Sequence, residues 1–433
     1  MIRLLYNLVL FVLWPLYRLA ALFNVSGARA FYESRRTGAA ALTRYLQNST
    51  ATHPAPIWLH GASVGEIDQA LALAREIKSR QPERPILLSA FSMSVRLREI
   101  PEVDLFFYLP LDFPGSWRDL QHGQRPIAFI TMTWDVFPNL IYRLSKLNIP
   151  AFICSASIGA DNRRLRFPFR RLVRPLYDAL AGIGAVNIET QTLFQQLTQN
   201  KQRVAVTGDT RFDTIFYKLR SADLPVAEKV RFQALQTAAN KASGGIWILA
   251  STYAADDREL LPAMARLLQR HTGWKVLIFP HKLDERRLHE LETGLKDLHL
   301  SPVRLDAARA DTDRVIIVDR MGLLALAYRY ADFCYVGGAF HHRIHNVAEP
   351  AALGLPVITG PRIDWAGVAV ELKQRGGLRR CRQGLEIYGV AQQWMQSADE
   401  RRRAGQIAAD YLLSEAGASR RFYDRFLDGL LNE

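Results

Sequence analysis

The chain has 433 residues, too many for one ordinary core, so length favours two or three domains. Hydrophobic residues make up 49% and charged residues 23%, which excludes long disordered stretches. The 56 Lys and Arg against 42 Asp and Glu leave a net +14 that suits an anionic membrane face or phosphorylated substrates; no DNA- or RNA-reading motif accompanies it, so no nucleic-acid partner is expected.

The first element is apolar. Leu4 to Tyr17 reads LLYNLVLFVLWPLY between Arg3 and Arg18. A spanning helix needs about 20 apolar residues, and this run is shorter and contains Asn7 and Pro15. No small-residue cleavage site follows, which argues against a removable signal peptide. The expectation is an anchor over 1–25 that dips into one leaflet, with a tilted span through Phe23 as the alternative. Arg29, Arg35 and Arg36 follow it and favour a cytoplasmic position for the rest of the chain.

From residue 56, short apolar runs alternate with amphipathic helical stretches, the pattern of parallel βα units. Strands are predicted at Ile57–His60, Ile86–Ser89, Leu105–Leu109, Ile127–Thr131, Ala151–Ser155 and Arg203–Val206. A polar stretch over about 218–245 interrupts the series. The alternation then resumes at Ile246–Ala250, Val276–Phe279, Val315–Val318, Phe333–Val336 and Val357–Thr359. The fold class is therefore α/β, with two doubly wound domains joined near 215–245. In such sheets ligands bind beyond the carboxyl ends of the strands.

Cys154, Cys334 and Cys381 stand far apart, fit no ligand spacing and read as buried filler in a reducing compartment. Six arginines (163, 164, 166, 170, 171 and 174) surround Phe167 and Phe169. The segment either seats the protein on a membrane or grips lipid phosphates, or is a solvated basic helix.

Several loops carry candidate chemistry. His60-Gly61-Ala62-Ser63-Val64-Gly65-Glu66 links the first strand to the first helix. Its two glycines allow a tight turn, and Glu66 is either a general base toward a hydroxyl or a helix-capping acid. Gly208-Asp209-Thr210-Arg211-Phe212-Asp213 either presents Arg211 to a substrate or is a turn with Asp caps. Ser251 and its neighbours either hold a phosphate or cap the next helix. His281 and Lys282 either contact a nucleotide or are surface basic residues. The densest element runs from Gly337 and Gly338 through His341, His342 and Arg343 to His345-Asn346-Val347-Ala348-Glu349-Pro350. A helix beginning near Asn346 would offer amides to phosphate, and Glu349 could accept from both ribose hydroxyls. The histidines have no acidic pair at ligand spacing, so neither a metal nor another cofactor is expected.

The order H-G-A-S-V-G-E, F-P-N, G-D-T-R-F-D, G-G-A-F and H-N-x-x-E-P resembles the 3-deoxy-D-manno-octulosonic acid (Kdo) transferase family, over nearly the whole chain. The resemblance implies a GT-B fold and a metal-independent, inverting transfer of Kdo from CMP-Kdo to a tetraacyl, bisphosphorylated lipid A precursor. The implied setting is the cytoplasmic face of the inner membrane. It implies an acceptor-binding Rossmann-like domain over 26–218 and a CMP-sugar-binding one over 219–433. Glu66 carries over as catalytic base, with Ser63, Gly65, Asp135 and Arg211 on the substrate side. The donor side takes Ser251, His281, Lys282, Gly337, Gly338, His345, Asn346 and Glu349. The chain also departs from the family pattern. E-T-E-x-W-P-N becomes Thr133-Trp134-Asp135-Val136-Phe137-Pro138-Asn139, Pro-Arg-His becomes Phe279-Pro280-His281, and G-N-x-K-F-D becomes Gly208 to Asp213. Lys282 or Arg211 is the candidate replacement for the missing positive charge. Another nucleotide-sugar transferase, or a non-catalytic lipid-binding homologue, are the alternatives.

Overall fold

The computed structural model describes residues 2–23, 25–49, 54–220, 233, 236, 237, 240–309 and 312–431. Much of the linker expected over 218–245 lies outside the described residues. The chain forms two compact units, 1–214 with 415–433, and 215–414.

Unit 1 is built on seven parallel strands: β1 (Ile57–Gly61), β2 (Ile86–Ala90), β3 (Leu105–Tyr108), β4 (Ala128–Met132), β5 (Ala151–Ala156), β6 (Gly182–Ala185) and β7 (Val204–Val206). Their order is β3-β2-β1-β4-β5-β6-β7, so the winding reverses between β1 and β4. Both faces are covered, which is why the strands read as continuous apolar runs. Trp58, Leu87, Phe107 and Phe129 fill one face; Leu59, Leu88, Ile130 and Phe152 fill the other.

The second domain was expected to run to residue 433, but 415–433 belong to unit 1. The reason is packing. Phe422 and Phe426 lie against Gly182 and Gly184 of β6, where an added Cβ would come within 2.5 Å of the Phe426 ring and 2.7 Å of the Phe422 ring. Asp213 accepts from the Gly417 and Ser419 amides at 2.5 and 2.7 Å, and the Arg421 guanidinium donates to the Thr207 carbonyl at 2.9 Å. The same glycines explain why β6 escaped notice in the sequence, since Gly-Ile-Gly-Ala lacks the side chains that mark a strand.

Two long helices, α1 (Ile2–Leu22) and α2 (Ala28–Asn48), precede the sheet. α1 extends beyond the apolar run at both ends and is long and apolar enough, by length and composition, to cross a membrane. One stripe is fastened to unit 1. Arg3 donates to the Asn139 side chain at 2.8 Å, the Asn139 amide donates to Asn7 at 2.6 Å, and Trp14 meets Phe113 edge-on at 4.6 Å. The other stripe, including Leu4, Leu8, Phe11, Val12, Leu19 and Leu22, is exposed. Arg35 departs from the expected membrane-side charge: it is buried and donates to the Ala90 and Leu109 carbonyls at 3.2 Å and to the Phe91 carbonyl. Burial between Phe31, Phe91 and Tyr108 pushes its guanidinium down to about 10.

Unit 2 repeats the architecture with β8 (Gly245–Thr252), β9 (Trp274–Pro280), β10 (Pro302–Arg304), β11 (Val315–Ile317), β12 (Phe333–Val336), β13 (Val357–Thr359) and β14 (Leu378–Arg380). The parallel order is β10-β11-β9-β8-β12-β13-β14, with the reversal between β8 and β12. β10 and β14, short edge strands carrying Pro302 or charged residues, had no apolar run to reveal them. Cys154, Cys334 and Cys381 are all buried, as expected of filler.

Candidate functional site

The carboxyl edge of unit 1 brings the acidic candidates together at the β1/β4 reversal. β1 ends at Gly61, where an added Cβ would stand 2.6 Å from the Glu66 carbonyl carbon, so only glycine lets helix α3 (Val64–Arg80) start so close to the strand. Gly65 is different: a Cβ there would meet nothing within 4 Å, so its small size serves no internal packing. The Glu66 carboxylate accepts from the Ser63 amide at 2.9 Å and the Ser63 hydroxyl at 3.1 Å. Capping and chemistry are thus compatible, since a carboxylate has lone pairs beyond those two.

Asp135 reaches this edge from the loop after β4. Burial, reinforced by the Glu66 charge and opposed by the Arg164 guanidinium, pushes its carboxyl up to about 6. Thr133, standing where the family has an acid, adopts φ 63°, a conformation that a β-branched residue rarely takes. Its amide donates to the Cys154 carbonyl at 3.0 Å, which holds the loop. Arg164, one of the arginines read either as a membrane seat or as part of a solvated basic helix, lies over the Trp134 ring at 4.5 Å and donates to the Trp134 carbonyl at 3.1 Å. Phe167 and Phe169 of the same segment are exposed.

His60 is a core residue. It is fully buried, its Nδ1 lies 2.9 Å from the Ser89 hydroxyl, and burial drives its imidazole down to about 3. Arg211 is held by its neighbour: its Nε donates to the Asp209 carboxylate at 2.7 Å, while Asp209 also accepts from Gln69 at 3.1 Å. The Gly208–Asp213 element therefore ties α3 and the C-terminal segment to the sheet, and among the described residues the carboxylate that Arg211 meets is that of Asp209.

Unit 2 places the donor-side candidates at the β8/β12 reversal. Ser251 takes φ 54° at a register shift in β8. Gly337 packs on it so closely that a Cβ would stand 2.5 Å from the Ser251 carbonyl oxygen. Gly338 has φ 94°, a conformation that favours glycine. Four rings gather above these residues. Tyr253 stacks on His341 at 4.6 Å and on His345 at 5.5 Å, and His281 lies 4.6 Å from Tyr253 and 4.5 Å from His345. Burial and neighbouring positive charge keep His281 and His345 below the ordinary histidine range. The His345 Nε2 is buried without a hydrogen-bond partner among the described residues, which leaves it free to meet a ligand.

Two residues organise this edge: Tyr253, from the element around Ser251, and Asp256, which the sequence did not single out. Asp256, fully buried, accepts from the Tyr253 amide at 2.9 Å, the Gly338 amide at 2.9 Å and the Tyr335 hydroxyl at 2.8 Å. Tyr253 supplies the stacking surface. The only available signal was an acid three residues after an aromatic at a helix start, which many helices share. Next to Tyr253 and His341 is a cavity of about 420 Å³ lined by Arg258, Lys282, Arg286 and Arg287. Asp257 holds Arg287 at 2.5 Å and Glu290 holds Arg286 at 3.0 Å; Arg258 and Lys282 meet no carboxylate among the described residues.

Glu349 and Asn346 sit beyond the glycines. The Asn346 amide donates to the Glu349 carboxylate at 3.1 Å, and burial raises the Glu349 carboxyl despite Lys218 and Asn346. The helix expected near Asn346 is Ala348–Ala352, and the Asn346 side chain accepts from the Ala348 amide at its start at 2.9 Å. Among the described residues no group of three or more His, Cys, Asp or Glu is arranged to hold a metal ion.

The sequence-family description "3-Deoxy-D-manno-octulosonic-acid transferase (kdotransferase)" matches residues 34–214. Curated 3-deoxy-D-manno-octulosonic acid transferases are similar over most of their length. The protein of Haemophilus influenzae is 27% identical over 88% of this chain and 88% of its own, and that of Bordetella pertussis 25% identical over 87% and 88%. Among solved structures, the UDP-GlcNAc 2-epimerase of Neisseria meningitidis superposes with a TM-score of 0.59 at 11% identity, over 86% of this chain and 100% of that one. A glycosyltransferase of Rickettsia africae gives 0.56 at 10% identity, over 88% and 100%. These structures establish an α/β fold of GT-B type. Together with the motifs carried at the two strand edges, the sequence matches support the 3-deoxy-D-manno-octulosonic acid transferase family of glycosyltransferases as the one this chain resembles.

Proposed function

We propose that the protein transfers Kdo from CMP-Kdo, with inversion, to a hydroxyl of a phosphorylated lipid A precursor at the cytoplasmic face of the inner membrane. The observation that supports this most is the acidic edge of unit 1, where Glu66 is held by Ser63 and shares its field with Asp135. Glu66 takes the proton of the acceptor hydroxyl as that oxygen bonds to the anomeric carbon. The bond from that carbon to the CMP phosphate breaks, and CMP leaves with the electron pair. Asp135, its carboxyl raised to about 6 by burial and by the Glu66 charge, places a second carboxyl group beside the acceptor hydroxyl.

In this reading unit 2 holds the donor. Glu349 and Asn346 accept and donate to the ribose, Ser251, His281 and His345 meet the phosphate, and the glycines at 337 and 338 admit the nucleotide closely. Lys282 supplies the positive charge that the family carries as arginine. Ser63, Gly65 and Asp135 meet the acceptor. Arg211, already paired with Asp209, joins them only by releasing that carboxylate.

α1 fits an anchor lying in the plane of one leaflet. Its polar contacts to Asn139 run along one stripe and its exposed apolar residues along the other, the arrangement of an interfacial helix.

The test is a transfer assay with purified protein, CMP-Kdo and tetraacyl precursor, read by mass spectrometry. A mass gain of one or more Kdo units is expected. No gain beside an active control enzyme, with turnover of a UDP-sugar instead, would move the protein to another donor. Acceptor binding without turnover of any donor would make it a lipid-binding homologue.

A further inference from the structure

We propose that the hollow between the end of α1 and the start of α2 seats the phosphate of an anionic bilayer phospholipid. The proposal rests on the membrane reading of α1 and adds to it a defined headgroup site. The hollow has a volume of about 320 Å³ and is lined by Arg18, Ala21 and Leu22 from α1 and by Arg29, Tyr32, Glu33 and Arg36 from α2.

Helical spacing puts these residues on one side. On α2, positions 29, 32, 33 and 36 face the hollow, while Arg35, Gly38, Leu42 and Leu46 face the body of unit 1. The adjacent arginines 35 and 36 therefore do different work: one is buried among carbonyl oxygens, the other is exposed at the hollow.

The charge is not balanced internally. The hollow holds three guanidiniums and one carboxylate, and Glu33 is engaged by Arg29 at 3.0 Å, which leaves two guanidiniums, those of Arg18 and Arg36. Among the described residues Arg18 and Arg36 meet no carboxylate. Guanidinium groups bind phosphate oxygens in pairs, and Tyr32, packed on Trp14 at 5.7 Å, lines the same hollow.

The surroundings choose the occupant. Leu22, which lines the hollow, is exposed by 77%, and Leu19 and Phe23, close to it in sequence, are exposed by 51 and 78%. A soluble phosphate would leave these side chains in water. A phospholipid places its phosphate among the arginines while its acyl chains cover the leucines and the phenylalanine. The depth also agrees, because an interfacial helix lies at the boundary of headgroups and acyl chains.

Vesicle flotation of the full-length protein tests the site, using phosphatidylcholine alone or mixed with phosphatidylglycerol. The wild type should bind the mixed vesicles at least about tenfold more tightly than the neutral ones. R18E/R36E should lose that gain and keep its binding to neutral vesicles. R402E/R403E, the same charge change at exposed arginines of unit 2, should keep the gain. Equal losses in the two variants would overturn the proposal in favour of diffuse attraction. So would an R18E/R36E protein that floats normally but shows a raised KM for detergent-dispersed phosphorylated acceptor, since the hollow would then serve the acceptor. A wild type that binds neither vesicle would overturn the membrane reading of α1 and this site with it, leaving the transferase reading to its own assay.

Discussion

The two units place their loops at equivalent points, the carboxyl ends of strands flanking a reversal in a doubly wound sheet, and fill them with opposite chemistry. At the β1/β4 edge, two carboxylates, Glu66 and Asp135, share a field, and burial raises Asp135 to about 6. At the β8/β12 edge, Tyr253 and three histidines stack beside a cavity whose lining includes Arg258, Lys282, Arg286 and Arg287 as well as Asp284 and Glu290, and the buried carboxylate of Asp256 is turned inward to hold amides. One scaffold therefore carries an acidic edge in one unit and an edge of stacked rings and basic side chains in the other, and in the proposed reading these are the proton-accepting and the anion-accepting edges. The contrast extends to glycine: Gly337 is confined by the backbone of Ser251, whereas Gly65 faces open space.

The largest effect should come from Glu66→Gln. Glutamine preserves the cap on the α3 start, so the melting temperature should hardly move, while transfer should fall about 10²- to 10⁴-fold with CMP binding intact. Retained turnover would reduce Glu66 to a capping residue and erase the contrast between the edges. Asp256→Ala should destabilise unit 2 by about 3 kcal/mol, since it strands two amides and a buried hydroxyl; urea unfolding measures it. An unchanged midpoint would remove Asp256 as the organiser of the anion-accepting edge.

Gly337→Ala should cost about 1–3 kcal/mol because its methyl group meets the Ser251 carbonyl, while Gly65→Ala should stay within about 0.5 kcal/mol. A Gly65→Ala protein that folds normally but binds acceptor weakly would locate the acceptor beside Gly65. A further effect concerns pH. His60 titrates near 3 when folded and near 6.5 when unfolded, so between those values the unfolded chain binds the extra proton. Stability contributed by neutral His60 is present above 6.5 and falls by about 1.4 kcal/mol per pH unit below it. Relative to wild type, His60→Gln should lose that slope in urea titrations from pH 7 to pH 5; an identical slope would mean that His60 is reached by water.

Much of this was legible in the chain. Buried parallel strands need apolar residues on both faces, so eleven strands stood out as runs, and the Glu66 and Glu349 loops stood out because glycines and ionisable residues follow such runs. β6 was hidden because its glycines exist to admit Phe422 and Phe426, residues more than 200 positions away.

What the sequence determined by itself is local: the alternation of strand and helix, the apolar stripe of α1, the excess of positive charge and the order of the motifs. The tertiary structure decided the partnerships. It returned 415–433 to unit 1, buried Arg35 while leaving Arg36 exposed, retired His60 to the core, engaged Arg211 with Asp209, and drew Tyr253 and Asp256 into the unit 2 edge. The physical reason is that a side chain's charge, burial and hydrogen bonding depend on atoms brought near by folding, and spacing along the chain fixes only which face of its own element it occupies.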